Sequence, residues 1–316
     1  MRWPTSPPTS STPCSTRASA SAGRRRERHR DGRVSASLAA APRRRIPRVL
    51  LVGLVILGLI ALLAALGPWI APHDPDAFAM RMRLRPPSLA HPFGTDEFGR
   101  DVFSRVLAGA HFSLLMGFGA TAISLAIGVP LGLLAAFHRG WVEEVIMRGV
   151  DLMISLPPVL LGLLILAVTE PGLFKTILAV GLVYVPIMTR LARAVALELL
   201  AEDFVEAARA RGEGAWHILA REIMPNAWPP LIVETALRIT FAILLGSALS
   251  FLGLGPQPPA SEWGLMIAES RPFIAEAPWI GLAPGLCLCL LLITVNVVGE
   301  GLRDLLDPRL RGRGHG

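Results

Sequence analysis

An all-α membrane protein with six transmembrane helices is the fold class that three observations predict. Of 316 residues, 52% are hydrophobic and only 17% are charged, the profile of a multi-span membrane chain and not of a soluble domain. Apolar runs long enough to cross a bilayer, about 20 residues each, recur along the chain between short polar stretches. The strong basicity is confined to one end. Residues 1–48 hold twelve arginines against Glu27 and Asp31, a net +10, whereas the whole chain is +7, so residues 49–316 carry −3. Positive charge is therefore a property of a tail and not of a nucleic-acid-binding surface on the fold.

Taken in order, residues 1–45 are rich in Ser, Thr, Pro and Arg and read as a disordered cytoplasmic tail. Two readings of it stand: a polybasic segment drawn to anionic membrane lipid, or a solvated extension, including one translated from a misassigned start. Residues 49–70 form the first span, too long and too poor in small cleavage-site residues for a signal peptide, hence an uncleaved anchor. Arg43, Arg44, Arg45 and Arg48 hold its N-terminus in the cytoplasm. Residues 71–111 make an outer loop. Its Gly94-Thr95-Asp96 and Gly99-Arg100-Asp101 cluster has the spacing of neither a calcium loop nor a phosphate-binding loop, so no metal site is expected there.

Residues 113–137 are the second span, with Gly117, Gly119, Gly128 and Gly132 as points of close helix approach. A third helix over 145–168 is expected to kink at Pro157 and Pro158, with Arg148 and Asp151 paired near its inner end. The fourth span covers 173–189. The fifth starts around Asn226, Pro229 and Pro230 and ends near Phe251, with Glu234 and Arg238 as an i,i+4 structural ion pair rather than a substrate ligand. Residues 253–264 turn outside, and Trp263 and Trp279 suit an outer aromatic belt, as Trp228 suits the inner one. The sixth span, 280–299, holds Asn296, which needs a partner helix or a water-lined path. Cys14, Cys287 and Cys289 offer no disulfide framework or zinc spacing, and the last two act as small hydrophobes.

The stretch 190–228 is polar, lies between two spans and carries helix signals. Asp203 and Glu206 have the spacing of a capping box, and Gly212 supplies a left-handed stop. A second short helix over 215–223 places Trp216, Leu219, Ala220 and Ile223 on one face and ends before Pro225. Such order suits a docking surface. An amphipathic helix resting on lipid headgroups is the plainer alternative.

Here the residues resemble a known family. Glu206-Ala207-Ala208, Gly212, Ile223 and Pro225 are similar to the Glu-Ala-Ala loop of ABC-importer permeases. The segment His91-Pro-Phe-Gly-Thr-Asp-Glu-Phe-Gly-Arg-Asp-Val-Phe-Ser-Arg105 resembles the loop before the second span in the dipeptide/oligopeptide/nickel branch, as do the segments 251–264 and 299–310. The resemblance covers about residues 46–311. It implies a type I ABC-importer permease fold, with a first helix and outer loop (46–112) followed by a core of five helices (113–311). It also implies a coupling helix, docked in a cleft of an ATPase subunit, formed by Asp203, Glu206, Ala207, Ala208, Arg211, Gly212 and Trp216. On that reading Ala207 and Ala208 let the backbone approach the cleft floor.

The implied activity is half of a translocation pore in the bacterial inner membrane, both termini cytoplasmic, for di- or oligopeptides or a related solute such as nickel. The implied partners are a second homologous permease, two cytoplasmic ATP-binding subunits, an extracytoplasmic solute-binding protein and membrane lipid. The chain is not expected to be an enzyme or to bind a cofactor; ATP and Mg belong to the partner subunits. Independently, a phosphate-binding loop needs Gly-x-x-x-x-Gly-Lys-Ser/Thr, and the single lysine, Lys175, follows Phe174. An ion-coupled secondary transporter would need carboxylates near the midplane. A membrane-embedded enzyme would need titratable groups gathered at one depth, whereas the histidines, His29, His73, His91, His111, His138, His217 and His315, are scattered along the chain.

Overall fold

The structure is a computed structural model and describes residues 48–306; the predicted tail over 1–45 and Cys14 fall outside the described residues. In chain order the helices are α1 (Arg48–Ile70), α2 (Val102–Phe137), α3 (Trp141–Ile154), α4 (Pro158–Ala167), α5 (Leu173–Leu199), α6 (Asp203–Ala210), α7 (Ala215–Phe251), α8 (Trp263–Ser270) and α9 (Trp279–Leu306). Among the described residues, α1, α2, α5, α7 and α9 are long and apolar enough to cross a membrane. The pair α3 and α4 makes a sixth crossing only if counted together, because the chain bends there by 94°. The expected kinked helix over 145–168 is thus a broken one. Pro157 disfavours helix at Leu156 and neither proline donates a ladder bond, so the first helix stops and Pro158 opens the second at the position proline tolerates.

Other boundaries move for identifiable reasons. α2 starts at Val102 and not near 113, since the Asp101 side chain accepts from the Ser104 backbone N–H and caps the helix eleven residues earlier. The division expected at 112/113 therefore falls inside a helix. α5 runs on to Leu199, α9 to Leu306, and α7 begins at Ala215, ahead of the prolines expected to open it.

The core is built on close helix approach. α2 lies against α5 along its length and also contacts α1 and α7, while α9 packs on α1 and α7. A Cβ on Gly132 would stand 2.5 Å from the Thr189 carbonyl oxygen, and one on Gly128 would stand 2.7 Å from the Met188 Cβ. A Cβ on Gly117 would stand 2.4 Å from an Ile243 side-chain carbon, and one on Gly119 would make a tight 3.1 Å contact with Ile177. Small residues at these four positions thus set the interhelical distances, as their spacing predicts.

Several charges inside the helices are paired, although not always as expected. Glu234 and Arg238 meet at 2.6 Å, and the Arg238 guanidinium also lies 5.1 Å from the Phe241 ring centre. Asn296 accepts from the Thr240 hydroxyl at 3.2 Å, which supplies its partner helix. Arg148 does not pair with Asp151. It binds Glu144 at 2.8 Å, and Asp151 binds Arg190 of α5 at 2.6 Å. Glu before Arg at i,i+4 is the better order, and a cation from a neighbouring helix leaves Asp151 no need of Arg148.

Buried charges tie the loop after α1 to α2 and α8. Arg100 and Arg105, both 1% exposed, converge on the Asp96 carboxylate, Nε at 2.5 Å and Nη1 at 2.7 Å. Arg105 also reaches Glu269 of α8 at 3.4 Å. Burial, with Asp96 and Glu269 close by, pushes the Glu97 carboxyl above its usual range. Trp263 and Trp279 are not belt residues. Trp263 is 3% exposed and donates to the Val106 carbonyl, tying α8 to α2, and Trp279 donates to the Thr95 carbonyl, tying α9 to the loop after α1.

Gly132→Val tests the packing. A side chain there must displace the α5 backbone, an overpacking cost of about 1–3 kcal/mol or more. Thermal unfolding of the detergent-purified protein is expected at a clearly lower temperature, while Gly149→Ala, with nothing within 4 Å of its Cβ, is expected to unfold with the unaltered chain.

Candidate docking site

The polar stretch between α5 and α7 folds as a compact helix–turn–helix. After α5, single-turn bonds from the Ala201 and Glu202 N–H groups to the Glu198 and Leu199 carbonyls reverse the chain. α6 then runs for eight residues. Its N-cap is Glu202, in extended conformation and without a side-chain cap bond, so Asp203 and Glu206 form no capping box. Asp203 is one position too far into the helix for that role. Both acids instead sit in the first turn, where negative charge favours the helix dipole.

The end of α6 follows the expected left-handed stop. Gly212 has φ +79°, its N–H donates to Arg209 O, and the Glu213 N–H donates to Ala208 O. These two bonds are the Schellman arrangement and satisfy carbonyls that the helix end would leave free. A Cβ at Gly212 would meet nothing within 4 Å, so glycine is required by the backbone angle alone.

The second helix differs from expectation. It does not end before Pro225 but continues into α7, because residues Ile218–Ile223 take a wide π turn. That turn shifts the bonding register ahead of Pro225, which has no N–H to give. The Asn226 side chain then donates to the Glu222 carbonyl at 2.7 Å. The same turn rotates the faces. Ile218, Leu219 and Ile223 are buried, whereas Trp216 is 77% exposed and Ala220 is exposed. The expected stripe of Trp216, Leu219, Ala220 and Ile223 is therefore split.

α6 is split likewise. Val205 and Ala208 are both fully buried, in a core with Met188, Ala192, Ala196, Leu219 and Ile223. Ala208 thus packs inside the chain and does not face outward with Ala207, as adjacent residues on a helix must point about 100° apart. The outward face comprises Asp203, Glu206, Ala207, Ala210 and Arg211. A hub that sequence spacing did not reveal secures the turn: Glu213 pairs with Arg211 at 2.7 Å and with His217 at 3.5 Å, and Arg211 also reaches Glu222 at 3.4 Å. Behind it Arg193 of α5 binds Glu143 of α3, Nε at 2.8 Å. The i,i+3 spacing of Val205 and Ala208 was the available signal for the buried side.

Residues 128–312, which contain this whole arrangement, match the family of binding-protein-dependent transport system inner membrane components, and residues 48–87 match the N-terminal transmembrane domain of oligopeptide transport permease C. The chain belongs to that permease family. It is 42% identical over 259 residues to a probable D,D-dipeptide transport system permease of Escherichia coli (strain K12), covering 82% of this chain and 87% of that one. A di/tripeptide transport system permease of Pseudomonas aeruginosa is 42% identical over 265 residues, with 82% and 88% covered. A glutathione transport system permease of Pectobacterium atrosepticum is 38% identical over 260 residues, with 82% and 86% covered. A chain of the inward-facing MetNI methionine ABC transporter superposes with a TM-score of 0.56 at 18% identity, over 65% of this permease and 97% of that chain. At that identity the likeness is one of fold, the type I ABC-importer permease fold. The permease is accordingly a multi-pass membrane transport subunit of the peptide/oligopeptide/nickel branch and not an enzyme.

Two substitutions separate the faces. Ala208→Glu brings a charge into the permease's own core at a cost of several kcal/mol, and sharply reduced folded yield is expected. Gly212→Val strains the left-handed turn by about 1–3 kcal/mol, whereas Gly212→Asn, which tolerates that angle, is expected to stay near the unaltered chain in limited proteolysis of the loop.

Proposed function

We propose that this permease forms half of the membrane pore of an ATP-driven importer of di- or oligopeptides, and that the outward face of α6 docks on a cytoplasmic ATPase subunit. The observation that carries the docking is the unused face. The apolar side of α6 is consumed by the permease's own core, while Asp203, Glu206 and Ala207 are exposed, Arg211 is shared with the Glu213 hub, and Trp216 on the next helix is exposed as well. An aromatic ring left 77% exposed in a polar loop is the kind of anchor a partner groove covers. The peptide class is supported by relatives named as permeases for D,D-dipeptides, di/tripeptides and glutathione.

ATP and Mg act on the partner subunits in this reading. ATP binding draws two ATPase subunits together, each carries a docked α6, and the spans behind it rock as rigid bodies between inward and outward access. A second homologous permease completes the pore, and an extracytoplasmic binding protein delivers solute to the loops around Asp96 and Ser261. Parity from an arginine-flanked first span puts the α6 loop and both termini in the cytoplasm. Ala208 serves as an anchor beneath the docking face and not as part of it.

Ala207→Glu and Trp216→Ala are expected to leave membrane insertion intact, to cut solute uptake at least about tenfold, equivalent to roughly 1.4 kcal/mol of lost coupling, and to release the ATPase subunits on co-purification. Uptake and association at the unaltered level in both variants would refute the docking. Topology is tested separately. Reporter fusions after Gly214 are expected inside and those after Asp96 and Ser261 outside; an outside signal at Gly214 removes the site from any cytoplasmic ATPase.

A further inference from the structure

The outer loop gathers three residues that lie far apart in sequence. His73 begins the loop, His91 lies at its middle, and Asp101 caps α2. Their side-chain donor atoms all fall within 4.8 Å of one another. His91 Nδ1 stands 3.0 Å from Asp101 Oδ1, and His73 Nδ1 stands 3.8 Å from Asp101 Oδ2. The two imidazole rings are 4.7 Å apart, centre to centre.

The carboxylate is held in place from behind. Ser104 donates to Asp101 Oδ2 through its backbone N–H at 2.8 Å and through its hydroxyl at 2.6 Å, and the same hydroxyl accepts from the His73 backbone N–H at 3.2 Å. One serine therefore orients both the carboxylate and the chain that carries His73. Asp101 is 1% exposed at its side chain and His91 13%, while His73, at 42%, forms the solvent side. Hydrogen bonding accounts for His91, at 3.0 Å. It does not account for His73, whose ring nitrogen faces the carboxylate from beyond hydrogen-bond reach.

We propose that His73, His91 and Asp101 bind a divalent first-row transition ion such as Zn²⁺. Such ions hold imidazole nitrogen and carboxylate oxygen at about 2.0–2.2 Å, which sets ligand atoms roughly 3–3.5 Å apart around a tetrahedron. The observed separations need only a small inward movement of His73. Two imidazoles with one carboxylate is a donor set that suits zinc, nickel or copper rather than calcium or magnesium, and an orienting group behind the carboxylate is what such sites use to fix it. The ion joins the start, middle and end of the loop, so its role is to staple the outer loop onto the α2 N-terminus. It is a resident of the loop and not the transported solute, and the assignment is independent of the docking face.

The test uses the full chain, purified in detergent with no polyhistidine tag, stripped with chelator and titrated with Zn²⁺ alone and with Co²⁺ alone. Expected are one saturable Zn²⁺ site of micromolar affinity or tighter, a rise in unfolding temperature that chelator reverses, and visible Co²⁺ bands of a four-coordinate nitrogen and oxygen site. His73→Phe and His91→Phe keep the ring volume and are each expected to weaken Zn²⁺ at least about 100-fold and to abolish the cobalt bands. His111→Phe, in the neighbouring exposed helix turn, is expected to bind as the unaltered chain does. No saturable binding below about 1 mM, a regime of only some 4 kcal/mol, would overturn the site and leave a His91–Asp101 hydrogen bond alone. So would His73→Phe and His91→Phe variants that bind Zn²⁺ as tightly as the unaltered chain.

Discussion

Every backbone donor and acceptor that lies in hydrocarbon must find its partner within the protein, and this requirement shapes the permease more than any side-chain contact. Its long helices carry prolines inside them, at 130, 186, 229, 230 and 284, and each one removes a ladder bond. The chain meets the deficit in different ways. Two adjacent prolines at 157 and 158 end one helix and begin another at a steep angle. At Pro225 a π turn shifts the register and Asn226 bonds the Glu222 carbonyl, so the helix survives intact.

The two ends of the bundle use different chemistry to hold loops still. At the end that carries the loop after α1, the buried Asp96 carboxylate shared by Arg100 and Arg105 joins that loop to α2, and Glu269 extends the cluster to α8. Removing Asp96 would take from both arginines their closest partner in a dry site, which is more costly than the pairing itself is stabilising. At the end that carries α6, the ion pairs around Glu213 and Arg211 are partly exposed and individually contribute little. There the order comes from apolar burial of Val205 and Ala208 and from one glycine at a positive backbone angle.

Five of the expected spans and the glycine seams were legible in the sequence because apolar length and small-residue spacing report directly on lipid exposure and helix approach; the sixth was not, because the chain breaks at Pro157 and Pro158. Gly212 was legible for a similar reason, since few other residues adopt its angle. Helix starts were less so. Asp101 caps α2 through one bond to Ser104, and nothing in the polar run before it distinguishes that acid from Asp96, which binds arginines instead. The face of the segment 215–223 was read with a uniform helical period, whereas the pairing of Ala207 with Ala208 on one face of α6 came from the family resemblance. The π turn breaks that period, which is why Trp216 and Leu219 part company; Ala208 joins the core because it shares a face of α6 with Val205, three residues before it. The gathering of His73, His91 and Asp101 is a product of loop path alone, and no periodicity encodes it.

The continuity of α7 has a mechanical consequence. A helix of 37 residues is a rod about 55 Å long, nearly twice the thickness of the hydrocarbon layer it crosses. If such a rod pivots near one end, a tilt of about 10° sweeps the other end through roughly 10 Å, so a modest push becomes a large displacement on the far side. The weak point of the rod is its π turn, which lies close to the short end where a push would be applied. Val205 and Ala208 press against Leu219 and Ile223 within that turn, and so act as a splint across the place where the lever would otherwise flex.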